Sequence, residues 1–321
     1  MENEQRVQRV QRKVVTVGTG FVGMSYAYAM LNQNACDEMV LIDIDKKRAE
    51  GEAMDLNHGL AFSGSHMKIY AGDYEDCKDA DIVTISAGVS QQLGEDRLSL
   101  LQRNTAVFKS IVGPVIASGF KGVFLVATNP VDIMSYVTQQ ISGFDSERVI
   151  GTGTALDTAR LRYMLGDYFQ VDPRNVHAYV MGEHGESEFV PWSQALIATK
   201  PVLELCEEEG RFSCEGMIQI SNEVRGAAQK IIEAKKASYY GIGMAMVRIS
   251  KAILGNENSV LTVSAMPKGE YGVNGVYAGV PCIVNRNGIS SILSLSLTAE
   301  ELELFKQSCD ILKKICSDIK V

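Results

Sequence analysis

The 321-residue chain is expected to fold as an α/β protein, a doubly wound parallel sheet followed by a mixed α+β domain. Three observations lead there. Short β-branched runs alternate with longer segments of helical character through the first half. The first run ends on a glycine-spaced turn, Gly18-Thr19-Gly20-Phe21-Val22-Gly23. Near residue 150 the texture changes, and long helical stretches with turn-rich connections replace the alternation. At about 150 residues per domain the length suggests two domains. They are placed at 1–150, with a short polar N-terminal arm, and at 151–321.

Lys13–Val17 is the first expected strand, and the alanine- and methionine-containing segment Phe21–Leu31 the first helix. A second strand over Met39–Asp43 leads into charged helical sequence from Lys46. Apolar runs at Ala80–Ala87, Gly122–Ala127 and Arg148–Ile150 add strands, with helices over Leu98–Ser118 and Pro130–Gln140 between them. Such runs suit a parallel sheet covered on both faces. The second half offers helices at Thr154–Tyr168, Ser213–Glu233 and Ser238–Leu254, strands at Ser259–Ala265 and Gly279–Val284, and a closing amphipathic helix at Thr298–Ile319.

Composition narrows the classes further. With 46% hydrophobic and 22% charged residues the chain can build substantial cores, which argues against disorder. A formal net charge of −8 is a poor match for nucleic-acid phosphates or an anionic membrane surface. The polar start Met1–Arg6 lacks the apolar core of a secretory signal. No apolar stretch approaches the ~18 residues of a spanning helix. The seven cysteines are odd in number and form no Cys-x-x-Cys pair, so reduced thiols are expected rather than disulfides or a zinc site. A soluble, cytoplasmic protein without a metal is the expectation.

The glycine turn has the spacing G-x-G-x-x-G, and its context gives it weight. A strand precedes it, a helix follows, and Asp43 ends the next strand twenty residues beyond Gly23. Gly18 permits the tight turn, Gly20 lets the backbone approach a pyrophosphate, and Gly23 lets helix and strand pack closely. The helix-terminal N–H groups at Phe21 and Val22 then face the anion. Asp43 can accept hydrogen bonds from both hydroxyls of an adenosine ribose, and its charge would repel a 2′-phosphate. The expectation is a Rossmann domain that prefers NAD to NADP.

Several other residues invite a chemical reading. His184, one of four histidines, sits between glycines in Gly182-Glu183-His184-Gly185. With an ordinary pKa near 6.5, such a ring can exchange a proton near neutrality. Asp157 and Arg160, three apart on a helix, share one face, where a surface ion pair is the blander reading. Asn129, in Thr128-Asn129-Pro130, falls at the carboxyl end of a strand, where ligands of open α/β sheets gather. The polar segment Gln91–Arg97 between a strand and a long helix reads as a mobile loop.

From about residue 13 onward the chain resembles the bacterial L-lactate dehydrogenases of the lactate/malate dehydrogenase family. The resemblance is carried by Gly18–Gly23, Gly51–His58, Gln91–Asn104, Ala127–Asp132, Leu156–Arg160, Gly182–Gly185 and Val284–Gly288. It implies NAD as cofactor and a hydride transfer between pyruvate and lactate in fermentative glycolysis. His184 then takes the place of the acid–base histidine, Asp157 holds its tautomer, and Arg160 grips the substrate carboxylate with two hydrogen bonds. Asn129 positions the substrate oxygen, and the 91–97 loop becomes an active-site lid that carries Arg97 over the carbonyl. Ser238 lies beside the substrate and Ile242 against the nicotinamide ring. Gln91 stands where malate dehydrogenases carry arginine; neutral glutamine leaves a second carboxylate uncompensated and tolerates a methyl group.

The resemblance also implies a homotetramer and a fructose 1,6-bisphosphate site at Arg162 and His177. On a helix, residues two apart point about 200° from one another, so Arg162 and Arg160 serve different sides. Three departures stand out: Ser238 in place of threonine, Asp96 in place of serine or threonine before Arg97, and Glu186 in place of aspartate after His184. Ser238 leaves room for a larger hydroxyacid. A malate enzyme is disfavoured by Gln91. An NAD-dependent glycosidase would need a metal-binding Cys/His pair, and His184 has no cysteine nearby in sequence. A non-catalytic NAD-binding protein would have no use for His184, Asp157, Arg160 and Arg97 together.

Overall fold

Apolar runs of four or five residues without polar alternation are stable only where both faces of a sheet are covered. The computed structural model, which describes residues 11–89, 97–207 and 213–319, places them in that setting. The first half runs β1 (Lys13–Val17), α1 (Phe21–Asn32), β2 (Glu38–Ile42), α2 (Lys46–Gly59), β3 (Lys68–Ala71), β4 (Ile82–Ile85), α3 (Arg97–Ala117), β5 (Val123–Val126), α4 (Val131–Ser142) and β6 (Val149–Gly151). These strands pair in parallel in the order β3-β2-β1-β4-β5-β6, with β1, β2, β4, β5 and β6 buried along their whole lengths. The order reverses between β1 and β4, which opens a crevice at the carboxyl ends of both strands, beside the glycine turn.

The second half contributes α5 (Ala155–Phe169), β7 (Val176–His177), β8 (Leu196–Ile197), β9 (Lys200–Pro201), α6 (Val202–Glu207), α7 (Cys214–Lys235), α8 (Tyr240–Leu254), β10 (Ser259–Ala265), β11 (Ala278–Asn285), β12 (Gly288–Ile292) and α9 (Ala299–Ser317). Caps explain two of the helix starts. The Ser213 hydroxyl accepts from the Gly216 N–H ahead of α7, and Thr298 with Glu301 forms a reciprocal capping box on α9. Strands β7, β8 and β9 form a small antiparallel sheet. None of the described helices is long and apolar enough to cross a membrane.

The sheet does not stop at β6. Strands β10, β11 and β12 extend it as an antiparallel meander to nine strands, joined where Ser264 pairs with Gly151. Glycine is required at that seam, because a Cβ on Gly151 would lie 2.3 Å from Ser135 Oγ and 2.6 Å from Ser264 Cβ. One apolar core consequently runs from Val14 and Val40 through Ile150 to Val263, Val280 and Phe305. A smaller core gathers Leu161, Leu165, Val180, Val202, Met217 and Val224. Helix α8 lies against α1, where the buried Tyr26 and Ser250 hydroxyls hydrogen-bond at 2.7 Å. Substituting Gly151 by valine should overpack the seam and cost about 1–3 kcal/mol. The urea midpoint should fall with the slope unchanged; an unmoved midpoint would mean that β6 and β10 are not this close.

Candidate active site

Each glycine of the 18–23 turn meets a different demand. Gly18 has φ +101° and its Cα lies so near Ala87 that a Cβ would come within 2.6 Å of the Ala87 nitrogen. A Cβ on Gly23 would fall 2.0 Å from the Gly18 carbonyl oxygen, so this contact fixes where α1 begins. Nothing lies within 4 Å of the corresponding position on Gly20. Its hydrogen faces open space at the N-terminus of a helix that has no side-chain cap. A backbone bare on its outer side beside helix-terminal N–H groups fits a pyrophosphate. Phe21 projects outward and stacks on Tyr239 at 5.2 Å, so Phe21 and Val22 can serve an anion through their main chain.

Asp43 has a second task that sequence alone did not reveal. Its Oδ2 accepts from the Thr19 N–H at 2.7 Å and the Thr19 hydroxyl at 2.9 Å, while Oδ1 accepts from the Asp45 N–H at 3.0 Å. Burial works against its charge, but these donors hold the carboxyl below the ordinary range. It therefore ties the glycine turn to the end of β2 and keeps a fixed negative charge where a ribose would lie.

The chemical centre forms where α4, α5 and the segment after Val180 converge. Buried threonines align that segment. The Thr154 hydroxyl donates to the Val180 carbonyl at 2.6 Å, and the Thr158 hydroxyl accepts from the Val180 N–H at 2.9 Å. Gly182 exchanges both backbone hydrogen bonds with Gly279 of β11. The Glu183 N–H then donates to Ser308 of α9, and the His184 N–H to Asp132 Oδ2 at 2.9 Å. Asp132 also accepts from the Ser264 hydroxyl at 2.6 Å; burial raises its carboxyl to about 6.

Three of the side chains singled out from sequence meet here. His184 Nδ1 and Asp157 Oδ2 are 2.6 Å apart, and Arg160 Nη1 donates to Asp157 Oδ1 at 2.8 Å. Asp157 is 2% exposed and Arg160 12%, so this is no solvated surface pair. Burial pulls the imidazole pKa down. The charge and hydrogen bond of Asp157, with the charges of Asp132 and Glu188, more than offset that and hold it up at about 9, well above an ordinary histidine. With Nδ1 engaged by Asp157, Nε2 is the atom free to exchange a proton with a ligand. Asp157, His184 and Glu188 bring donor atoms within 4.8 Å of one another. Asp157 directs one oxygen to Arg160 and the other to His184, so the three side chains form a hydrogen-bonded chain.

Asn129 lies exposed just beyond the carboxyl end of β5, before a cis bond to Pro130. Ser238 is half-buried in the connection from α7 to α8, and Ile242, in the first turn of α8, packs on the main core. Gln91 and Asp96 lie outside the described residues, and Arg97 is described only as the first residue of α3. Arg162 leaves α5 on a different side from Arg160. Its Nε donates to the Ala178 carbonyl at 3.2 Å and its guanidinium lies 5.5 Å from the Tyr179 ring centre; His177, which precedes Ala178 in the chain and belongs to β7, is exposed. Asp132 and Glu188, both buried, were not singled out from sequence; for Asp132 the signal available was a carboxylate within an apolar stretch, whereas Glu188 follows the polar run Glu183–Ser187 and offered none.

Residues 12–151 match the NAD binding domain of lactate/malate dehydrogenases, and residues 154–320 their alpha/beta C-terminal domain. An L-lactate dehydrogenase of Bacillus velezensis is 54% identical over 303 residues, 94% of this chain and 96% of that protein. The minor L-lactate dehydrogenase of Enterococcus mundtii in its ligands-bound form superposes with a TM-score of 0.96 at 47% identity, covering 98% of this chain and 100% of the other. Its ligands-unbound form superposes with a TM-score of 0.90 at 46% identity, covering 97% and 98%.

Replacing Asp157 by asparagine keeps the shape and removes the charge. The midpoint of His184, followed by NMR of 13C-labelled histidine, should fall from about 9 by at least about one unit. An unmoved midpoint would show that Asp157 is not the partner that holds the imidazolium.

Proposed function

The chain belongs to the lactate/malate dehydrogenase family, and from that premise we propose that it works as an NAD-dependent L-lactate dehydrogenase, interconverting pyruvate and (S)-lactate in fermentative glycolysis. The observation that carries this reading is the buried chain Arg160–Asp157–His184, with Nε2 of the imidazole left for a ligand. Residues 1–150 form the cofactor half and residues 151–321 the substrate half. Gly18, Gly20, Phe21, Val22, Gly23 and Asp43 hold the NAD, with Asn129 and Ile242 at its nicotinamide end.

NADH, when bound, supplies the hydride for the carbonyl carbon of the ketoacid. Arg160 grips the carboxylate, and its bond to Asp157 fixes the guanidinium plane. Asn129 and Arg97 act on the carbonyl oxygen, Arg97 as the charge that meets developing negative charge. His184 delivers the proton from Nε2, while Asp157 steadies the imidazolium until then. Reduction needs the protonated ring. Because its pKa is raised, reduction is sustained through neutrality and is lost as the pH climbs through about 9. Lactate oxidation needs the neutral ring and gains over the same interval. Gln91 and Ser238 line the methyl end, where a second carboxylate would be desolvated without a partner.

A cytoplasmic homotetramer completes the reading, with fructose 1,6-bisphosphate held by Arg162 and His177 across a subunit interface. The guanidinium of Arg162, partly withdrawn from water where its Nε bonds the carbonyl of the residue after His177, supports an anion site.

NADH consumption with pyruvate and with oxaloacetate, the bisphosphate present, tests the activity. Pyruvate should be strongly preferred, and His184→Asn should lose nearly all turnover while still binding NADH; a preference for oxaloacetate would overturn the role of Gln91. For the effector, fructose 1,6-bisphosphate should lower the half-saturating pyruvate concentration of the parent enzyme at neutral pH, and Arg162→Gln should abolish that response. A parent that does not respond has no regulatory site there.

A further inference from the structure

Glu188 stands four residues beyond His184, is 5% exposed, and has a carboxylate oxygen within 4.8 Å of the donor atoms of Asp157 and His184. No described residue hydrogen-bonds its carboxylate. Arg225 of α7 comes close, but its Nη2 donates to the Glu188 backbone carbonyl at 3.1 Å and its buried Nε has no partner. The charged groups facing Glu188 are Asp157 and Arg160 from α5, Arg225 from α7 and His184 from its own segment; Asp132 of α4 lies behind His184. The residue is buried, but its carboxylate oxygens are not among the fully enclosed polar atoms without a partner, so the carboxyl sits at the edge of the site beside the proton-carrying ring, where its charge can act on that ring.

We propose that Glu188 is a positioning residue for the reaction, its carboxylate keeping the proton on His184 as the solution becomes alkaline. The inference rests on the reading of His184 as the acid–base group. Burial, then the charge of Asp157, pushes the Glu188 carboxyl up, toward the alkaline range in which the neighbouring His184 is held. Below that range Glu188 carries its own proton and adds no charge. Once it ionises, its negative charge stabilises the neighbouring imidazolium, and ketoacid reduction extends to higher pH.

Glu188→Gln preserves the shape and removes the ionisation. At about pH 6.5 the variant and parent should reduce pyruvate alike, within about twofold, because Glu188 is neutral there. Near pH 9 reduction by the variant should fall about fivefold if the His184 midpoint drops by about one unit. Lactate oxidation should rise instead over that same alkaline interval, because it needs the neutral ring. A merely structural role would lower both directions together at every pH, and that result, or an unmoved His184 midpoint by NMR, overturns the proposal. Should the glutamine variant fail to fold, the parent itself decides. The His184 resonance, assigned by its loss in His184→Asn, should titrate in two steps; a single step overturns the proposal. The NMR midpoint reports on Glu188 even if His184→Asn retains turnover and the acid–base reading fails.

Discussion

A carboxylate taken almost wholly out of water is tolerated only when each of its oxygens meets a positive or proton-donating partner. Asp157 is that group here, and its two oxygens dictate the rest of the centre. One fixes the guanidinium of Arg160 and the other fixes Nδ1 of His184. The same constraint selects the working atom, since a ring held through Nδ1 has only Nε2 to offer. Asp132 repeats the arrangement one step away, accepting from Ser264 and from the backbone of His184. The imidazole is thus held by its main chain through one buried acid and by its ring through another.

Such a centre needs elements from distant parts of the chain to converge without slack. Helix α4 supplies Asp132, α5 supplies Asp157 and Arg160, and β10 supplies Ser264. The seam between β6 and β10 brings the last of these to the first, and Gly151 makes room for it. Continuation of the parallel sheet into an antiparallel meander therefore has a chemical consequence. It places one wall of the substrate half in register with the nucleotide crevice, and α8 against α1 holds the two halves together on the other side.

Much of this was legible in the sequence. Gly18, Gly20, Gly23 and Asp43 could be placed because a strand, a turn and a helix occur in the order their chemistry needs. The three-residue spacing of Asp157 and Arg160 gave their shared face, but only the fold supplies His184 as the third member. Strands β7, β8 and β9 were missed because two residues cannot display a period, and β12 because its Gly-Ile-Ser-Ser-Ile sequence lacks an apolar run. Asp43 binding to Thr19, and Asp132 and Glu188 beside the histidine, escaped for another reason. A carboxylate reveals its partners only when the chain returns from elsewhere, as Ser264 does to Asp132.

Helix α5 sends two arginines in different directions. Arg160 turns inward to Asp157, whereas Arg162 reaches the carbonyl of Ala178, on the strand segment that leads to His184. That segment is bound to α5 a second time through Thr154 and Thr158. An anion drawn to Arg162 and His177 would act on a stretch of chain joined to both Arg160 and His184. Coupling between the two sites then requires no long relay. The backbone from His177 to His184 is itself the connection, and α5 is the rail along which it is held.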